Sequence, residues 1–254
     1  MSAPALPWCA DKDPYADALR AGRGPLFLRR PDGWLLPLEV ERWCARADSA
    51  DMSVLRRCKG SVLDIGCGPG RLVTALSGLG LPVLGVDTSP AAISRTRRAG
   101  GAALQRSVFE SLPGEGRWLS ALLLDGNIGI GGDPQGLLSR ARELLAPDGL
   151  LFVEAAPAEV EEQIEVRLDD GTGGHGPAFP WARLGREALR EYAGSVGWSV
   201  VEEWQCYERP FLCLRPAVTV RTVRSSRSRP VSPAVPAVPA TAGAQLGGQG
   251  LTSR

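Results

Sequence analysis

Asp64, Gly66, Gly68 and Gly70 stand at alternate positions in S-V-L-D-I-G-C-G-P-G-R-L, Ser61 to Leu72, and these residue types at this spacing can bind a nucleotide. Ser61 to Ile65 is a short apolar, β-branched run, and glycines come directly after it. Leu72, Val73, Leu76 and Leu79 then recur at helical spacing until Gly80 and Pro82. The order is strand, glycine loop, helix. Glycine accepts positive φ and lacks a Cβ, so the loop backbone can turn sharply and lie against a ligand at the helix N-terminus. A second strand, Pro82 to Val86, ends in Asp87 and Thr88, with Ser89 as N-cap and Pro90 at the first position of a second helix. A carboxylate about twenty positions beyond a glycine loop is placed to accept hydrogen bonds from both hydroxyls of a ribose. That pairing implies an adenosine-type ligand.

Other glycine motifs fit less well. The phosphate loop of nucleotide hydrolases needs Gly-Lys-Ser or Gly-Lys-Thr after four intervening residues, and the chain has no such string. A dinucleotide fingerprint needs glycine or alanine three residues past its second glycine, where Arg71 stands. What remains is an acidic residue two positions before Gly-x-Gly-x-Gly. In this stretch the chain resembles the class I S-adenosylmethionine-dependent methyltransferases. The resemblance implies an α/β, Rossmann-like seven-stranded sheet, mostly parallel with an antiparallel last strand and helices on both faces. It also implies S-adenosyl-L-methionine as cofactor; a small-molecule acceptor, methylated at oxygen, is the first reading of what that cofactor serves.

Carried onto these positions, the resemblance gives Gly66, Cys67, Gly68 and Gly70 the methionine portion of the cofactor, Asp64 its amino group, and Asp87 with Thr88 the ribose. Val108 and Phe109, in the loop after a third strand at Ala102 to Gln105, cover the adenine. Ser107 occupies the place where the family often carries an aspartate for the adenine amino group. A fourth strand, Ala121 to Leu124, ends in D-G-N-I-G-I-G-G, so Asp125, Gly126 and Asn127 border the methyl group and the acceptor, where the glycines permit close approach. The Asp- or Asn-Pro-Pro-aromatic string of enzymes acting on nucleobase or amide nitrogens is missing there. His175, the only histidine, sits in the glycine-flanked loop Gly171 to Pro177 and suits a general base, as its ordinary pKa is about 6.5. His175 and Asn127 are the catalytic candidates. Trp34, Trp43 and Arg42 are candidates to line the pocket, and Phe179 and Trp181 to form an aromatic lid over it; Trp34 and Trp181 are taken as substrate-binding.

The elements that must hold these residues can be read in order. Residues 1–60 form an N-terminal cap: a short helix at Tyr15 to Leu19, a hairpin over Pro25 to Leu36 turning at Pro31-Asp32-Gly33, and helices near Val40 to Ala45 and Met52 to Cys58. Residues 61–216 form the cofactor-binding domain. Its later parts are a helix from Asp133 with an apolar stripe, a fifth strand at Leu150 to Glu154 after the turn Pro147-Asp148-Gly149, and an alternating strand at Ile164, Val166 and Leu168. A helix at Gly185 to Val196 and two strands, Trp198 to Tyr207 and Pro210 to Leu214, complete it. Residues 217–254, rich in Pro, Ala, Ser and Gly, are expected to be a disordered tail.

Composition narrows the function classes. The 254 residues hold 29 basic and 28 acidic side chains, formally +1, so no overall field favours nucleic acid or an anionic membrane as partner. The six cysteines form no C-x-x-C pair and have no histidine at metal spacing, which points to reduced thiols, no metal, and a cytoplasmic protein. Two further readings use the same cofactor site: a propylamine-transferring relative with decarboxylated cofactor, which needs more acidic residues near the fourth strand, and a non-catalytic module that binds the cofactor.

Overall fold

A computed structural model describes residues 13–173 and 176–217; His175 and nearly all of the expected tail lie outside the described residues. Helix α1 (Pro14–Ala21) starts where the Asp13 carboxylate accepts from the Ala16 N–H, and Gly22 ends it at φ 70°. Strands β1 (Phe27–Arg29) and β2 (Leu35–Pro37) make the hairpin expected around Pro31-Asp32-Gly33. Helices α2 (Val40–Cys44) and α3 (Ser49–Leu55) come next, the second fixed by a reciprocal capping box between Asp48 and Asp51. The alternating part then runs β3 (Val62–Ile65), α4 (Arg71–Gly78), β4 (Val83–Asp87), α5 (Pro90–Arg98), β5 (Ala103–Gln105), β6 (Trp118–Leu123), a 3-10 turn (Asn127–Gly132), α6 (Pro134–Leu144) and β7 (Leu145–Glu154). It ends in β8 (Glu161–Asp169), β9 (Phe179–Leu184), α7 (Arg186–Ser195), β10 (Trp198–Cys206) and β11 (Arg209–Pro216).

Seven strands form one sheet in the order β10-β11-β7-β6-β3-β4-β5. Neighbours from β7 to β5 pair in parallel, and β11 pairs antiparallel with both β7 and β10. Alternate residues of each central strand are buried on opposite faces. Leu63, Leu123 and Val153 pack with Leu137 and Leu138 of α6 and Leu189 of α7. Val62, Leu122 and Phe152 pack with Val54 of α3 and Leu72 and Leu76 of α4. The carboxyl ends of β3, β4 and β6 therefore lie side by side, bringing the glycine loop, Asp87 and Asp125 to one sheet edge.

Two features differ from the sequence expectation. β7 begins at Leu145, because the Pro147-Asp148-Gly149 turn is taken up as an irregularity in its pairing with β6. Phe179 and Trp181 belong to a strand, β9, rather than to a free lid. β9 pairs with β8, and β8 pairs with β1, so the N-terminal hairpin and the insertion after β7 build one antiparallel sheet, β2-β1-β8-β9. Leu28, Val40, Leu168 and Phe179 form its core, with Tyr15, Trp43 and Trp181 packed against them. Among the described residues no helix is long and apolar enough to cross a membrane.

Candidate active site

The glycine loop after β3 has positive φ at Gly66 (73°), Gly68 (53°) and Gly70 (89°). Two of the three glycines are demanded by the chain's own packing. A Cβ on Gly66 would sit 2.7 Å from the Asn127 side-chain nitrogen, and one on Gly70 2.6 Å from the Thr96 hydroxyl. The Asn127 amide donates to the carbonyls of Ile65 and Gly66, at 2.9 Å each, so both its N–H groups are spent on the loop backbone. Asn127 thereby ties the turn after β6 to the glycine loop. The Thr96 hydroxyl reaches the Gly68 carbonyl at 2.9 Å from α5. Cys67 turns its thiol into a small core with Val73, Ile93 and Ala103, and burial pushes that thiol well above its ordinary pKa.

At the end of β4 the Asp87 carboxylate accepts from the Gly68 N–H at 2.9 Å and from the Ser89 N–H at 2.8 Å, one bond on each oxygen. Each oxygen keeps acceptor capacity. Burial raises its pKa against the lowering effect of the backbone N–H groups around it. Thr88, half-buried beside it, uses its carbonyl to accept from Gln105. Tyr15 also reaches this corner, for its hydroxyl lies 3.4 Å from where a Cβ on Gly68 would be. Burial, and then the Asp87 charge, hold the Tyr15 phenol protonated well above its ordinary pKa. Its ring meets Trp43 edge-on, with centroids 6.2 Å apart. Sequence periodicity marked Tyr15 only as the start of a helix.

Asp64 is 1% exposed, and its Oδ2 has no hydrogen-bond partner. Loss of solvent, reinforced by the charges of Asp125 and Asp87, pushes its pKa up to about 8.

Asp125 adopts left-handed backbone at φ 57°, an uncommon state that asparagine and aspartate tolerate best. Its N–H donates to Glu154 Oε2 at 2.8 Å. Its carboxylate meets three guanidinium groups: Arg71, Arg42 at 2.8 Å and Arg209 at 3.4 Å. The Arg71 side chain is only 2% exposed and also pairs with the fully buried Asp51. Arg209 holds both Glu154 oxygens, at 2.7 and 2.8 Å, and Asp51 at 2.9 Å. Asp125 is thus a junction joining the first helix after the loop, the β10-β11 hairpin and the cap helix α2. One sequence signal for this exists. Arginine in the first turn of a helix opposes the helix dipole, so Arg71 needs acidic partners close by.

The turn Asn127–Gly132 lies beneath β9. A Cβ on Gly129 would come 2.6 Å from the Trp181 ring, and one on Gly132 2.6 Å from Pro180. These glycines let β9 approach the turn closely. Trp181 in turn meets Phe179 edge-on at 6.1 Å. Phe109 is 48% exposed with its ring 3.0 Å from a Cβ position on Gly131, whereas Val108 is buried in the main core. Gly126, at φ 81°, has open space where a Cβ would be. Trp34 is 41% exposed in the connection between β1 and β2, with Arg30 and Arg183 at 5.6 and 5.3 Å from its ring.

A family model described as a methyltransferase domain matches residues 40–203, more than half of the chain. Solved structures share the fold. A SAM-dependent methyltransferase from Bacteroides fragilis, in complex with S-adenosyl-L-homocysteine, superposes with TM-score 0.69 at 22% identity, covering 82% of this chain and 97% of that one. The 1,6-didemethyltoxoflavin-N1-methyltransferase of Burkholderia thailandensis gives 0.52 at 19% identity, over 66% and 77% of the two chains. The CcbJ methyltransferase of Streptomyces caelestis gives 0.53 at 18% identity, over 69% and 92%. No curated protein matches in sequence.

Proposed function

The chain belongs to the methyltransferase-domain family and is a class I S-adenosylmethionine-dependent methyltransferase, and from that premise we propose that it methylates a small molecule at oxygen. The residues at the sheet edge suit the cofactor. The orphaned Asp64 oxygen is an acceptor waiting for a donor, which the ammonium of the methionine portion would supply. Asp87 retains lone pairs for two ribose hydroxyls while the Gly68 N–H fixes its orientation. Phe109, 48% exposed, would be free to cover the adenine, whereas Val108 is buried in the main core.

Bound S-adenosylmethionine supplies an already activated sulfonium methyl. What the protein must add is an acceptor held in line and shielded from water. The observation that supports the small-molecule reading is the seating of β9 on the turn Asn127–Gly132, where Trp181 and Pro180 would wall the acceptor side. Asn127 orients that turn and Asp125 anchors it. A phenol or carboxylate would need orientation alone, whereas an aliphatic alcohol would take its base from His175. A polyamine acceptor loses ground because the acid best placed for it, Asp125, already faces three arginines. Nitrogen is the second reading, since two proteins of the same fold are named as N-methyltransferases, one acting at N1 of 1,6-didemethyltoxoflavin and one on a glycopeptide. Incubation with S-adenosylmethionine and a panel of phenols, carboxylic acids, alcohols and amines, read by mass spectrometry, separates the two. O-methyl products are expected; N-methyl products alone would reverse the assignment.

Asp64 gives a sharper test of the cofactor's place. With its pKa near 8, the carboxyl of the ligand-free protein is mostly protonated at pH 7, yet holding an ammonium requires the carboxylate. Cofactor binding at pH 7 should therefore release close to one proton, and the release should fade by about pH 9. Calorimetry in buffers of different ionisation enthalpy measures this. Equal binding enthalpies in all buffers at pH 7 would refute it. The same raised pKa means that the ligand-free fold loses this group's contribution as pH rises from about 4, the ordinary aspartate value, through about 8.

A further inference from the structure

We propose that Trp43 and Arg42 on the cap helix α2, together with Arg71, form a clamp for a carboxylate, and that the carboxylate is the amino-acid end of the bound nucleoside. The inference rests on the cofactor reading above and extends it to the cap. Among the described residues, the buried side-chain nitrogens and oxygens without a hydrogen-bond partner are Arg42 Nη1, Trp43 Nε1, Asp64 Oδ2, Arg71 Nε and Arg71 Nη1. They are not scattered. Arg42 and Arg71 both contact Asp125, with Arg42 Nη1 2.8 Å from its Oδ1 as an ion pair lacking hydrogen-bond alignment. Trp43 packs edge-on against Tyr15, and the Tyr15 hydroxyl lies against Gly68. Asp64 is two residues before the loop itself.

Buried polar groups are almost always paired, so a cluster of unpaired ones beside a ligand loop describes the ligand's own polar groups in negative. Here the set is three donor side chains and one acceptor: Arg42 Nη1 and Arg71 Nη1 are ion-paired with Asp125 and Asp51 without hydrogen bonds, and Trp43 Nε1, Arg71 Nε and Asp64 Oδ2 complete it. An α-amino acid in its zwitterionic form is the complement: its carboxylate accepts from indole and guanidinium N–H groups, and its ammonium donates to Asp64. Such bonds are charge-assisted and strong in a site closed to water. Two of the donors sit on α2, outside the main sheet, so the bound amino-acid end bridges the cap and the glycine loop. A nucleoside without that end would still find Asp87 and would leave the bridge unmade.

Calorimetry with two probes tests this, using the full chain, Trp43→Phe and Arg42→Gln. S-adenosylhomocysteine carries the amino-acid end; 5′-methylthioadenosine lacks it. Each variant is expected to bind S-adenosylhomocysteine at least about tenfold more weakly than the parent while binding 5′-methylthioadenosine within about twofold of it. Retained affinity for 5′-methylthioadenosine also shows that the variants are folded. Undiminished affinity for S-adenosylhomocysteine, or an equal loss with both probes, overturns the clamp and leaves the cofactor reading standing. A parent chain that binds neither probe overturns both.

Discussion

Replacing Arg71 with leucine should lower the unfolding free energy by about 3 kcal/mol, the low end of the range for removing one member of a buried ion pair, because Asp51 keeps Arg209 at 2.9 Å and Asp125 keeps Arg42. Almost no water reaches this guanidinium and its partner Asp51 is entirely buried, so solvent does not make good the lost pair. Asp125 would lose its contact with α4 at the same time. For a chain of this length the melting temperature moves by about 2–4 °C per kcal/mol, so a fall of roughly 6–12 °C is expected. Arg71→Lys should recover only part of it, since one ammonium cannot span Asp51 and Asp125 as a planar fork does. A shift of less than about 2 °C for the leucine variant would mean that the arginine junction does not hold these elements together.

Asp87→Ala should weaken binding of S-adenosylhomocysteine between about tenfold and a hundredfold. Two hydrogen bonds from ribose hydroxyls to a carboxylate account for at least that much. The variant also strips the Gly68 N–H of its partner and so loosens the loop that the methionine portion lies against. Asp87→Asn, which keeps one acceptor oxygen, should fall between parent and alanine variant. Unchanged affinity in the alanine variant would remove Asp87 from the ribose role and leave its bonds to Gly68 and Ser89 as purely structural.

The seven-stranded sheet was legible because its signals are local: apolar β-branched runs, capped helices at regular intervals, and glycines at the turns between them. The antiparallel placing of β11 entered with the family resemblance and is borne out by its pairing with β7 and β10. The second sheet could not be read in the same way, since its decisive contacts join Arg29 to Asp169 across 140 residues. Periodicity carries no information at that range. β9 was hidden for a further reason, because Pro180 inside Phe179-Pro180-Trp181 reads as a loop. At the site, the glycine loop and Asp87 stood out through spacing alone. The surroundings of Asp125 did not, since they are assembled from arginines at positions 42, 71 and 209 that meet only in the fold. An acid at a strand end looks like a ligand contact until its counter-charges are known. Asn127 carries the same lesson, for its amide is committed to the backbone of the glycine loop.

A crystal structure of the chain with S-adenosylhomocysteine tests the central claim most directly. The ribose hydroxyls should lie within about 3.2 Å of the Asp87 carboxylate oxygens, with the ammonium on Asp64 and the thioether directed toward the turn Asn127–Gly132. A nucleoside bound away from the carboxyl ends of β3 and β4, or with its sugar turned from Asp87, would contradict it.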